Sequence, residues 1–168
     1  MSATEAVETL EPPRIGPRGI EGWLVLVCLG VILAPLRILF VLLFTFAPLF
    51  LSGAWLPLVQ PSSDSFHPLW GPLLAYELFG NTALLAARVA LLLLFFKRSK
   101  RFPKLFVWVS LLELPFLLVD AWLGSIVIED EPMFDPETLR ALAGSVAAVA
   151  IWVPYMLVSK RVRNTFVV

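Results

Sequence analysis

Apolar residues fall into four long runs along this chain, separated by polar connections. The first runs from Trp23 to about Phe46, interrupted by Arg37, and the second from about Leu69 to Phe96. The third runs from Leu105 to about Val127, and the fourth from about Thr138 to Val158. A spanning helix needs about 20 mainly apolar residues, and all four runs reach that length. The second is about 42 Å long as a helix, more than the ~30 Å hydrocarbon core, so it tilts or protrudes. Two-residue alternation is absent, which argues against a β-barrel. The pattern predicts an all-α polytopic membrane protein. A four-transmembrane-helix bundle occupies residues 21–166, and residues 1–20 form a flexible cytoplasmic segment.

Composition agrees: 59% of the 168 residues are hydrophobic and mean hydropathy is +0.86, against about 45–50% apolar residues in a soluble domain. The 13 basic and 13 acidic residues cancel, but unevenly along the chain. Lys97, Arg98, Lys100, Arg101 and Lys104 lie between the second and third runs, and Lys160, Arg161 and Arg163 in the C-terminal tail. Arg14 and Arg18 precede the first run, while residues 47–68 and the stretch "IEDEPMFDPET" hold no Lys or Arg. Lys and Arg gather on the cytoplasmic side, so both termini and the middle loop are expected there, with the other two loops outside. Trp23 and Trp108 then fall near inner span ends, and Trp55, Trp70 and Trp122 near outer ends, as interfacial aromatics do. The first span is too long for a signal-peptide core and reads as retained. No basic surface suggests nucleic acid. Cys28 is alone, which excludes an internal disulfide and a multi-cysteine metal site. His67 has no partner residues in sequence and reads as a solvent-side residue rather than a ligand or base. No cofactor is expected.

The stretch "FDPET" places Asp135 as a helix cap, Pro136 at the first helical position and Glu137 in the first turn. The cluster Glu129, Asp130, Glu131, Asp135 and Glu137 reads as capping plus a solvated loop, with a divalent-cation site as the other reading. "SGAWLPL" is placed along the outer membrane face.

Six ionisable residues fall in or beside the spans: Arg37, Glu77, Arg88, Glu113, Asp120 and Arg140. A charge at mid-bilayer costs about 2.5–3.5 kcal/mol on insertion scales, so pairing is expected. Measured from the cytoplasmic ends, Arg88 and Glu113 lie at about 12–14 Å and the other four at about 21–28 Å. Each layer is neutral. Glu77 and Arg88 are offset by about 20° around their helix, with Asn81 about 40° from Glu77, and Glu113 and Asp120 by about 20° on theirs. The second and third spans therefore each carry one polar stripe facing the bundle or a water-filled cavity. Their tight connection makes them antiparallel neighbours, which pairs Arg88 with Glu113. Arg37 and Arg140 are expected to serve Glu77 and Asp120. Such a network either fixes helix register or forms a polar path. In the fourth span, Ala141, Gly144, Ser145 and Ala148 form a small-residue face for close packing. Pro154 and Pro115 each remove a helical hydrogen bond.

Three stretches resemble a known family: "GIEGWLVL" from Gly19, "HPLWGPLLAYELFGN" including Glu77, and "WVPYMLVSKRVRNTF" from Trp152. They are similar to a bacterial family of four-span inner-membrane proteins, the domain of unknown function 2569 family, over about residues 19–167. By this resemblance Trp152, Pro154, Tyr155, Ser159, Arg161 and Val162 form a signature, W-x-P-Y-x-x-x-S-x-R-V. Glu21 departs from the family, where glycine is expected more often. The resemblance implies span count and location in the bacterial inner membrane, and transfers no catalytic residue. Read from the residues, the signature is a kinked helix end, an interfacial Trp/Tyr pair and basic anchors, with lipid-headgroup contact at Ser159, Lys160 and Arg161.

The expected function is that of a structural or accessory membrane protein acting through helix packing, membrane lipid, a homo-oligomer or other membrane proteins. The alternative is a small transporter or channel component using Glu77, Arg88, Glu113 and Asp120. An intramembrane enzyme lacks its parts, because Ser145 has no intramembrane histidine and His67 is in a loop.

Overall fold

The computed structural model describes residues 19–128 and 132–167, and among these every regular element is helical. Six helices follow in order: α1 (Trp23–Leu51), α2 (Leu56–Val59), α3 (Trp70–Phe96), α4 (Phe102–Val127), α5 (Pro136–Val158) and α6 (Lys160–Thr165). The four long ones, α1, α3, α4 and α5, are long and apolar enough to cross a membrane. Arg14, Arg18, Glu129, Asp130 and Glu131 lie outside the described residues.

The helix ends follow from local chemistry. At the start of α5, the Asp135 carboxylate accepts from the Glu137 and Thr138 amides at 2.6 and 3.0 Å and from the Thr138 hydroxyl at 2.6 Å. This is the expected cap, with Pro136 in the first turn. α4 begins earlier than expected, at Phe102, because Pro103 falls in its first turn, where a missing N–H loses no bond. α1 runs on past Phe46 to Leu51 through a π-helical turn at Leu42–Phe46. α3 stops on Arg98, whose φ of 51° is left-handed. The Ser99 amide donates to the Leu94 carbonyl and the Arg98 amide to the Phe95 carbonyl, both at 3.0 Å. That double closure is the Schellman motif, and it reverses the chain into α4.

Packing follows chain order: α1 on α3, α3 on α4, α4 on α5. α1 and α5 flank the row and barely touch along their length. They meet at one end, where the start of α1, the α3–α4 turn and α6 gather. There Phe95, Phe102 and Phe166 pack with ring centroids 4.6–5.5 Å apart. Leu24 and Val162 are fully buried beside them. The Gly19 amide donates to Thr165 Oγ1 at 3.1 Å, Arg161 pairs with Glu21 at 3.2 Å, and Trp23 meets Trp152 edge-on at 6.2 Å. This basic end is the fold's main core. Elsewhere the bundle turns large apolar side chains outward, including Leu33, Phe44, Phe79, Trp108 and Ile151, as a lipid-solvated surface does.

α3 and α4 come close at Gly80. A Cβ there would lie 2.1 Å from Phe116 Cε2. The Phe116 ring cannot swing away freely, since it stacks on Tyr76 at 5.0 Å, and the Tyr76 hydroxyl donates to the Phe116 carbonyl at 3.0 Å.

Two outcomes are expected. Gly80→Ala should destabilise the purified protein by about 1–3 kcal/mol through overpacking, whereas Gly30→Ala, whose Cβ would meet nothing within 4 Å, should not; thermal unfolding in detergent compares them. Separately, the Thr138 side chain and amide hold the Asp135 carboxyl below its usual range. A lowered folded value means the cap contributes fully above the unfolded aspartate pKa and is lost as pH falls through the folded one. Hydrogen exchange at the Glu137 and Thr138 amides should therefore accelerate only on strong acidification, and should lose that pH dependence in Asp135→Asn.

Candidate functional site

The α3–α4 hairpin sets the polar interior. Residues equidistant from its turn face each other. Arg88 precedes Ser99 by 11 residues and Glu113 follows it by 14; the Arg88 guanidinium donates to the Glu113 carboxylate in the expected ion pair. Both side chains are largely enclosed, at 13% and 29% exposure. Glu77 precedes Ser99 by 22 residues and Asp120 follows it by 21, so these two carboxyl groups also meet, within hydrogen-bonding reach of each other. Asp120 Oδ1 is buried with no hydrogen-bond partner among the described residues. The Gly80–Phe116 contact lies between the two pairs along the helices, and Tyr76 lies just beyond Glu77.

This corrects one expectation. No ion pair among the described residues joins Arg37 or Arg140 to Glu77 or Asp120. The reason is geometric. α1 packs on α3 and barely touches α4, so Arg37 borders the α1–α5 cleft instead of meeting Asp120. It lines a cavity of about 520 Å³ with Arg88, Glu113, Glu137 and Arg140. Asp120 instead lines a separate cavity of about 260 Å³ with Asp135, Glu137 and Thr138. Asn81, whose Nδ2 donates to the Glu77 carbonyl at 2.9 Å, lines a third space of about 160 Å³ with Arg37, Arg88 and Glu113. That space shares five residues with the cavity of about 520 Å³: Arg37, Arg88, Glu113, Ala141 and Ser145.

The cavity of about 520 Å³ is the cleft between α1 and α5. Leu26, Val27, Gly30 and Arg37 form one wall, and Arg140, Ala141, Gly144, Ser145, Ala148 and Trp152 the other. The small-residue face of α5 was expected to pack closely on another helix. Instead it borders open space, and a Cβ on Gly144 would meet nothing within 4 Å. Phe106, Ser110 and Glu113 of α4 close the back.

The signature residues have internal partners. Trp152 contacts Trp23 and Tyr155, and Val162 is in the core. Pro154 lies inside α5, which ends at Ser159. Ser159 Oγ accepts from the Val162 amide at 3.4 Å, capping α6. Arg161 holds Glu21, and Lys160 is exposed. Cys28 packs beside the core, and His67 Nδ1 accepts from the Leu69 amide at 3.2 Å within its turn.

Ser110, Glu137 and Tyr76 were not singled out from sequence as members of the polar interior. Ser110 precedes Glu113 by one helical turn, a usable signal. The first-turn position of Glu137 explained it locally and hid its second role.

Four apolar helices carrying charges on facing sides, with apolar residues outward, define a multi-pass α-helical membrane protein. Its sequence matches the family model described as Protein of unknown function (DUF2569) over residues 17–167, and the chain belongs to that family. No curated protein and no solved structure matches it.

Removing one partner of an enclosed ion pair costs about 3–5 kcal/mol, because the other is left uncompensated. Arg88→Gln or Glu113→Gln should therefore lower folded yield and thermal stability in detergent. The exchange Arg88→Glu with Glu113→Arg should recover most of the loss.

Proposed function

We propose that this is an accessory protein of the bacterial inner membrane, with both termini cytoplasmic, that works by hosting a molecule from the bilayer in the α1–α5 cleft. The observation that carries the reading is the small-residue face of α5, which borders open space instead of a neighbouring helix. Such a face normally permits close apposition of another apolar body. Here the described residues supply none, and the space lies between two spanning helices. The basic residues of the α3–α4 turn and of α6 support the orientation, because Lys and Arg favour the cytoplasmic side. The Arg88–Glu113 pair then serves as a register lock at the back of the cleft.

Ala148 tests the reading, because it lines the cleft and carries no charge. The full-length protein, extracted gently from native membranes, is expected to carry bound lipid in native mass spectrometry. Ala148→Trp, which fills the cleft, should strip that lipid while leaving the protein monodisperse and helical. A bare wild-type protein, or an Ala148→Trp protein with an unchanged lipid load, would sink the proposal.

A further inference from the structure

The two halves of the cleft differ in chemistry. Toward the basic end its walls are Leu26, Val27, Phe106 and Trp152. Away from that end it carries Arg37 and Arg140, with the Arg88–Glu113 pair behind them. Among the described residues lining it, three guanidiniums face two carboxylates, Glu113 and Glu137. Glu113 is committed to Arg88, so Glu137 alone stands against two arginines. Neither Arg37 nor Arg140 has an ion-pair partner among the described residues. Arg37 is also deep, about 21 Å from either end of α1.

Resting on the reading of the cleft as a lipid host, we infer that its occupant is an anionic phospholipid. The phosphate sits on Arg37 and Arg140, and an acyl chain runs past Val27 and Phe106 toward Trp152. Charge complementarity argues for the head: a guanidinium is a planar fork that matches phosphate oxygens two at a time. Even with Glu137 counted, the described residues of the site keep one excess positive charge for an anion. The order of the walls argues for the tail, since the apolar half continues directly from the charged half. Position argues for the source, because the cleft lies between two spanning helices that barely touch, where lipid is the neighbouring solvent. The volume of about 520 Å³ lies within the range of about 300–1,000 Å³ usual for small-molecule sites, enough for the head and the adjoining part of a chain.

The test uses the full-length protein in nanodiscs of phosphatidylglycerol and phosphatidylethanolamine in equal amounts, released for native mass spectrometry. Wild type is expected to retain phosphatidylglycerol over phosphatidylethanolamine by about tenfold, the equivalent of one good charge-assisted contact. Arg37→Gln with Arg140→Gln should erase the preference, and Arg37→Lys with Arg140→Lys should keep part of it. These side chains border open space, so the changes bury no orphaned group. Excess inorganic phosphate should not displace the lipid; displacement would overturn the lipid in favour of a free anion. A preference that survives the double Gln change overturns the phosphate assignment. Equal retention of both lipids, still stripped by Ala148→Trp, overturns the anionic lipid but leaves the cleft as a host. If Ala148→Trp strips neither lipid, both readings fall.

Discussion

A charge held among spanning helices must find a counter-charge or a route to water, and the α3–α4 hairpin is built around one such match. A guanidinium near mid-membrane costs about 2.5–3.5 kcal/mol on insertion scales when it is alone. Arg88 avoids that cost because a five-residue turn fixes which residues of α4 stand opposite it, and Glu113 is among them. The turn itself depends on Arg98 accepting a left-handed backbone. Once α3 and α4 are locked in this register, the rest follows. Glu77 must meet Asp120, Gly80 must make room for Phe116, and α1 and α5 are left to dock on opposite flanks. Buried ion pairs often add little net stability but penalise every alternative pairing, and here that penalty falls on slipped registers.

The spans were legible because length and apolarity are what a bilayer selects for. The Asp135 cap was legible because its chemistry is local, and Arg88–Glu113 because a short hairpin makes neighbours certain. The same hairpin logic would have paired Glu77 with Asp120. Balancing charges by sign within depth layers instead matched them to arginines on other helices. Arg37 was given the wrong partners because hydropathy does not show which helices α1 packs against. The face of Ala141, Gly144, Ser145 and Ala148 was read correctly as small, but not as vacant. Composition says that a helix can be approached closely, not whether anything in the same chain approaches it.

The signature at the C-terminal end gains a physical explanation. Its residues bind the two ends of the chain: Val162 and Phe166 complete the aromatic core with Phe95 and Phe102. Glu21, the departure from the family pattern, is the residue that Arg161 holds. An exposed pair of this kind adds little stability by itself, but it sits beside the Gly19–Thr165 bond and the Trp23–Trp152 contact, which act on the same junction.

That junction has a mechanical consequence. With α1 and α5 fastened together at one end and separated beyond it, the pair behaves as a clothes-peg whose spring is the aromatic cluster. Arg140 stands 12 residues from Trp152 along α5, a lever arm of about 18 Å. A tilt of about 10° about the fastened end carries Arg140 through about 3 Å, while Trp152 hardly moves. The jaws can thus change their gap by about the reach of a hydrogen bond without breaking the core that joins them.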